Sequence, residues 1–137
     1  MKRNQLHILI FPLLFSTILH AQILNTEVKA KIELSYFEEM VSVTGTAENL
    51  DDGMKNLSYT LSVIKKNKQT TNTSNNSQNG EFTLNPNEKK ILSTTKINQS
   101  TKDEIIILLL IYDDNDVMVG KDRIIVEEKK SEVLNKN

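Results

Sequence analysis

Seven consecutive aliphatic residues, Ile105 to Ile111, constrain this chain more than any other feature. The run is far shorter than the roughly 20 residues of a membrane helix. Lys102, Asp103 and Glu104 precede it, and Asp113, Asp114 and Asp116 follow it. This is the pattern of a sticky central strand held between charged gatekeepers. Ile105, Ile107, Leu109 and Ile111 are assigned to the core. Ile106, Leu108 and Leu110 then need cover as well, from neighbouring side chains in the first instance, otherwise from a partner or a second subunit.

The rest of the chain supplies strands for that one to pair with. Val28, Ala30, Ile32, Leu34 and Tyr36 alternate with Lys29, Lys31, Glu33 and Ser35, a period of two that marks a half-buried strand. A turn at Glu38-Glu39 leads to a second strand from Val41 to Ala47, which fades into Glu48-Asn49. Asp51-Asp52-Gly53 reads as a loop in which glycine supplies a positive backbone angle. Leu57, Tyr59, Leu61 and Val63 form a third strand. Lys65 to Asn79 is almost wholly polar and reads equally as a loop or as an exposed edge strand with a loop at its end. Phe82 and Leu84 mark a short strand, Asn85-Pro86-Asn87 a turn, and Ile91 to Ile97 another strand. After the hairpin turn at Asp113 to Asp116, Val117 to Val126 forms the last strand, with Gly120 allowing a bulge. About seven short strands and no helix predict an all-β, immunoglobulin-like antiparallel β-sandwich, with a small barrel as the alternative.

Lys2 and Arg3 followed by the apolar stretch Leu6 to Leu19 have the layout of a signal peptide, with cleavage expected after Ala21. The expected organisation is a leader over 1–21, one sandwich domain over 22–126 and a charged, fraying tail over 127–137. No cysteine follows the apolar stretch to carry a lipid, so a periplasmic or secreted protein is expected. Cleavage removes two of the 17 basic residues and none of the 18 acidic ones, giving 15 − 18 = −3. Nucleic acid is therefore an unfavourable partner.

Both histidines, His7 and His20, lie in the leader, and the chain has no Cys and no Trp. Without imidazole or thiolate the mature chain lacks the usual general base near neutral pH and the strongest transition-metal ligands. No enzymatic activity, metal or other cofactor is expected. Asp113-Asp114-Asn115-Asp116 is oxygen-rich, but it lacks the calcium-loop spacing and reads as a plain turn. Glu38-Glu39 carries no sign of a perturbed catalytic pair.

From Leu57 to Val126 the chain resembles the curli-associated periplasmic chaperones of the CsgH type. The resemblance runs through the alternating strand Leu57 to Val63, then Asn76-Ser77-Gln78-Asn79-Gly80-Glu81-Phe82-Thr83-Leu84, an Asn-Pro-Asn-Glu turn, Ile91-Leu92-Ser93, and a hydrophobic strand ending in Tyr112-Asp113. Its most specific piece is Ser77-Gln78-x-Gly80-x-Phe82 followed by Leu92-Ser93. The resemblance implies an immunoglobulin-like sandwich without catalysis that inhibits nucleation of curli-type fibres, largely through electrostatic contact at the sheet surface. The long Asn/Ser/Thr tract and the slightly acidic charge depart from it.

The expected partner is an unfolded or fibre-forming protein subunit, met by a monomer or at most a weak dimer. Lys65, Lys66, Lys68, Lys89 and Lys90 are the candidate partner-binding residues, as one basic patch along an exposed edge. The plainer reading is that these lysines solubilise the edge and block unwanted pairing. The alternative function is a non-catalytic cell-envelope module that binds a folded partner through an outer apolar face.

Overall fold

The computed structural model describes residues 23–126. The expected leader and tail lie outside them. Seven strands follow in chain order: β1 (Val28–Phe37), β2 (Met40–Asn49), β3 (Lys55–Asn67), β4 (Thr73–Leu84), β5 (Lys89–Asn98), β6 (Asp103–Tyr112) and β7 (Met118–Val126). They form two antiparallel sheets, β1-β2-β5 and β4-β3-β6-β7. The fourth strand lies beside the third, where the variable-type immunoglobulin sandwich adds a strand to its second sheet.

Side-chain alternation brings the sheets together. β6 is buried at every second position, and Ile105, Ile107, Leu109 and Ile111 are fully enclosed. Opposite them stand Val28, Ala30, Ile32, Val41, Val43 and Ala47 of the three-stranded sheet, while Leu57, Leu61, Val63, Leu84 and Val126 complete the core. Each large aliphatic side chain so buried contributes about 1.5–3 kcal/mol.

The other aliphatic set of β6 faces outward and is half-buried. Register gives each member two neighbours: Ile106 between Ile64 and Ile125, Leu108 between Ser62 and Arg123, and Leu110 between Thr60 and Lys121. Aliphatic side chains and the long stems of Arg123 and Lys121 flank the stripe, so part of the cover is intramolecular.

The turns differ from expectation in one respect. No glycine has a positive φ among the described residues, and Gly53 is no exception. The left-handed positions fall instead to Asn25, Glu38, Thr71, Asn87 and Asp116. The Asp51 to Gly53 loop is shaped by the side chain of Asn49, whose Oδ1 accepts from Asp51 N at 3.0 Å and whose Nδ2 donates to Gly53 O at 2.7 Å. With those bonds in place, an ordinary negative φ suffices at Gly53. The bulge expected near Gly120 is present: Ile111 pairs with Gly120 and Tyr112 with Met118, so Val119 is the extra residue.

Candidate protein-binding surface

An open sandwich exposes the main chain of its edge strands, here β1, β5, β4 and β7. Side chains seal three of them to differing extents. Between β1 and β7, Asn25 donates from Nδ2 to Lys121 O at 2.8 Å, and its Oδ1 accepts from Lys121 N at 3.1 Å and Ala30 N at 3.0 Å. Its own N–H reaches Val119 O at 3.0 Å. Asp122 Oδ2 accepts from Ile32 N at 2.7 Å. The two edges approach so closely that a Cβ at Gly120 would stand 3.1 Å from Val28 O. On β5, Leu92 O accepts from Tyr59 Oη at 3.1 Å and Asn98 O from Lys65 Nζ at 3.1 Å.

The remaining edge is different. Lys90 Nζ donates to Thr83 O at 2.6 Å near the end of β4. Among the described residues, no hydrogen bond from outside the β3–β4 hairpin reaches the β4 main chain between Thr73 and Glu81. The tract that read equally as loop or strand is thus a long edge strand. Its pairing with β3 runs without a bulge from Lys55↔Leu84 to Lys66↔Thr73. From Thr73 to Asn79 nearly every residue is exposed, whichever face it occupies.

The residues that carry the family resemblance meet in one place. Ser93 Oγ donates to Gln78 Oε1, joining β5 to β4. Gly80 lies under the ring of Tyr59, with 3.0 Å between a hypothetical Cβ and Tyr59 Cε1. Tyr59 in turn meets Phe82 edge-on, centroids 5.9 Å apart at 67°, and reaches Leu92 O. Ser77 Oγ bonds Ser62 Oγ at 2.8 Å on the outer face. The Ser77-Gln78-x-Gly80-x-Phe82 and Leu92-Ser93 spacing is therefore a stitch that fixes the base of the open edge.

The five candidate lysines do not form one patch. Lys65, Lys66 and Lys68 lie where β3 ends, beside Asn98 at the finish of β5, whereas Lys89 and Lys90 begin β5. Nine residues of strand, about 30 Å, separate the groups. Lys65 points inward to Asp103, Nζ to Oδ2 2.9 Å. Lys89 pairs with Glu33 at 3.0 Å, and the Lys89 ammonium holds that carboxyl below the usual glutamate range, with Lys31 adding to the effect. Lys90 is engaged by Glu88 and Thr83 O. Lys66 and Lys68 are exposed, and Lys68 N donates to Lys102 O at 2.8 Å, which brings Lys102 into their group. Sequence reasoning assigned Lys102 to the gatekeepers because its neighbour across the loop cannot be read from spacing.

The opposite end of the sandwich is acidic. Lys55 is held there between Glu27, 2.8 Å, and Asp51, 3.0 Å. Those bonds, Glu27's first, raise the Lys55 ammonium above its ordinary range. The hydrogen bond from Lys55, then the Asp52 backbone N–H, keep Asp51 below its own. Asp113 Oδ1 accepts from Asn115 N and Val117 N, which makes it the acceptor that closes its turn.

No family model matches the chain, and no curated protein matches its sequence. Solved structures do. The curli protein CsgC of E. coli superposes with a TM-score of 0.57 at 11% identity, covering 70% of this chain and 96% of that one. CsgH of R. palustris gives 0.51 at 21%, covering 69% and 89%. β-Glucuronidase 2 of Bacteroides uniformis gives 0.51 at 7%, over 74% of this chain but only 14% of the enzyme. The likeness is one of fold. The expected β-sandwich and its likeness to CsgH are thereby borne out, and the same sandwich occurs as one part of a much larger enzyme.

Proposed function

We propose that this protein is an exported, non-catalytic binding protein that engages fibre-forming subunits of the curli kind and restrains their nucleation. The observation that carries this reading is the fold match to CsgC and CsgH over nearly their whole lengths, beside the CsgH-like order of residues from Leu57 to Val126. The open β4 edge supports it, because a free strand edge is where an unfolded β-forming chain can be held. Lys66, Lys68 and Lys102, exposed at one end of that edge, would add long-range attraction for acidic segments that weakens with salt. The test is fibre growth followed by dye fluorescence. Substoichiometric protein lengthens the lag of a curli-type subunit at low salt, and an unchanged lag overturns the proposal.

A second reading rests on the outer stripe Ile106, Leu108, Leu110 and Ile125, of which Ile125 is 42% exposed. A cell-envelope module docking a folded partner there would form a stable stoichiometric complex. Light scattering of the mixture separates that outcome from transient capture.

A further inference from the structure

We infer that the docking edge is the free side of β4 from Thr73 to Gly80, and that its occupant is an extended, uncharged segment rich in Asn, Gln, Ser and Thr. The inference rests on the chaperone reading above and names the chemistry of its partner. Natural sheet edges are guarded by charges, proline, bulges or brevity. Thr73-Ser74-Asn75-Asn76-Ser77-Gln78-Asn79-Gly80 has no charged residue and no proline, its pairing with β3 is unbroken, and the strand runs for 12 residues. Every other edge carries side chains bonded onto its main chain, from Asn25, Asp122, Tyr59 or Lys65.

The occupant follows from what β4 offers. Its main chain supplies the pairing groups, as in strand addition generally. With no charge on the stretch, a charged strand gains nothing there. Asn75, Asn76, Gln78 and Asn79 can instead continue amide ladders with like side chains on an added strand. Register is left free. A slip of one residue moves an incoming strand's side chains from one face to the other, and since both faces of β4 are exposed from Thr73 to Ser77, neither position is penalised. Many registers of similar energy give brief, repeated capture of a low-complexity chain. Pairing with a second copy would bury little apolar surface, far short of what a stable dimer needs.

The experiment titrates labelled protein with a capped peptide composed of Asn, Gln, Ser and Thr and about as long as β4, and reads backbone amide shifts and exchange. Shifts and added protection confined to Thr73–Gly80, with the β7 amides unmoved, are the expected result. The Ser74→Lys, Asn76→Lys double variant, whose parent side chains are exposed, should keep its fold by the same spectra and bind the peptide about tenfold more weakly. Perturbations elsewhere, or undiminished binding by the variant, overturn the inference. So does concentration-dependent broadening of β4 without peptide, because a second copy then occupies the edge. If the double variant still lengthens the lag of fibre growth as the parent does, the edge assignment fails and the chaperone reading stands. If the peptide binds β4 but the lag is unaffected, the chaperone reading fails.

Discussion

Lys65 and Asp103 form an ion pair at 2.9 Å in which the carboxylate is sheltered, 5% exposed, and the ammonium is half in water, 34% exposed. The asymmetry decides which partner matters more. Lys65→Met leaves a buried carboxylate with, among the described residues, only the Asn67 Nδ2 contact at 3.4 Å, and should cost about 2–3 kcal/mol. Asp103→Asn leaves an ammonium that can turn to solvent and should cost about 1 kcal/mol. Urea denaturation of both variants measures the difference, and equal losses would contradict the account.

Asn49 is 1% exposed and ties three segments together. Besides its bonds to the Asp51 to Gly53 loop, Nδ2 lies 3.1 Å from Asn85 O. Asn49→Ala should destabilise by about 1–2 kcal/mol, since the Asp51 to Gly53 loop and Asn85 O lose part-buried hydrogen bonds to a side chain that is itself enclosed. Asn49→Asp should be worse, because it sets a carboxylate against the carbonyls of Gly53 and Asn85. Thermal melts rank the two.

Gly80 and Tyr59 are coupled across β3 and β4. Gly80→Ala forces the ring to give by a few tenths of an ångström, although Phe82 and Leu92 O hold it. A loss of about 1 kcal/mol is expected. In a Tyr59→Leu background the same change should cost much less, and a double-mutant cycle that proves additive would refute the contact.

Stability should vary little with pH across the neutral range. Asp51 and Glu33 have carboxyls held below their ordinary values, so their contribution is present above the unfolded pKa values of 3.8 and 4.5 and is lost as pH falls through the lower folded ones. Lys55 is raised above 10.5, so its contribution is complete below that and is lost as pH climbs through the higher folded value. No histidine lies among the described residues. The urea midpoint is therefore expected to be flat between about pH 5 and pH 9 and to fall on both sides. A step near pH 6.5 would contradict this.

The fold was legible wherever apolar residues set a period. Ile105 to Ile111 identified itself as the central strand because all seven of its residues are aliphatic, and Val28 to Tyr36 announced β1 by alternation. β4 was half legible. Uncharged polar residues carry no burial signal, so nothing in Thr73 to Asn79 distinguished an edge strand from a loop. The basic patch misled for a topological reason: β5 runs from Lys89 away to Asn98, and its end, not its start, meets Lys65. Asn49 gave no sign of its reach to Asn85 O, because the turn after β4 comes beside it only once the sheets pack.

The seal that Asn25 and Asp122 place between β1 and β7 limits how these molecules can combine. A protein with two unguarded edges is divalent, and copies can join end to end into a ribbon without limit. With the β1 and β7 edges tied to each other, β4 is left as the long unguarded edge. Strand pairing is then directed to one side of the molecule, which disfavours growth of such a ribbon.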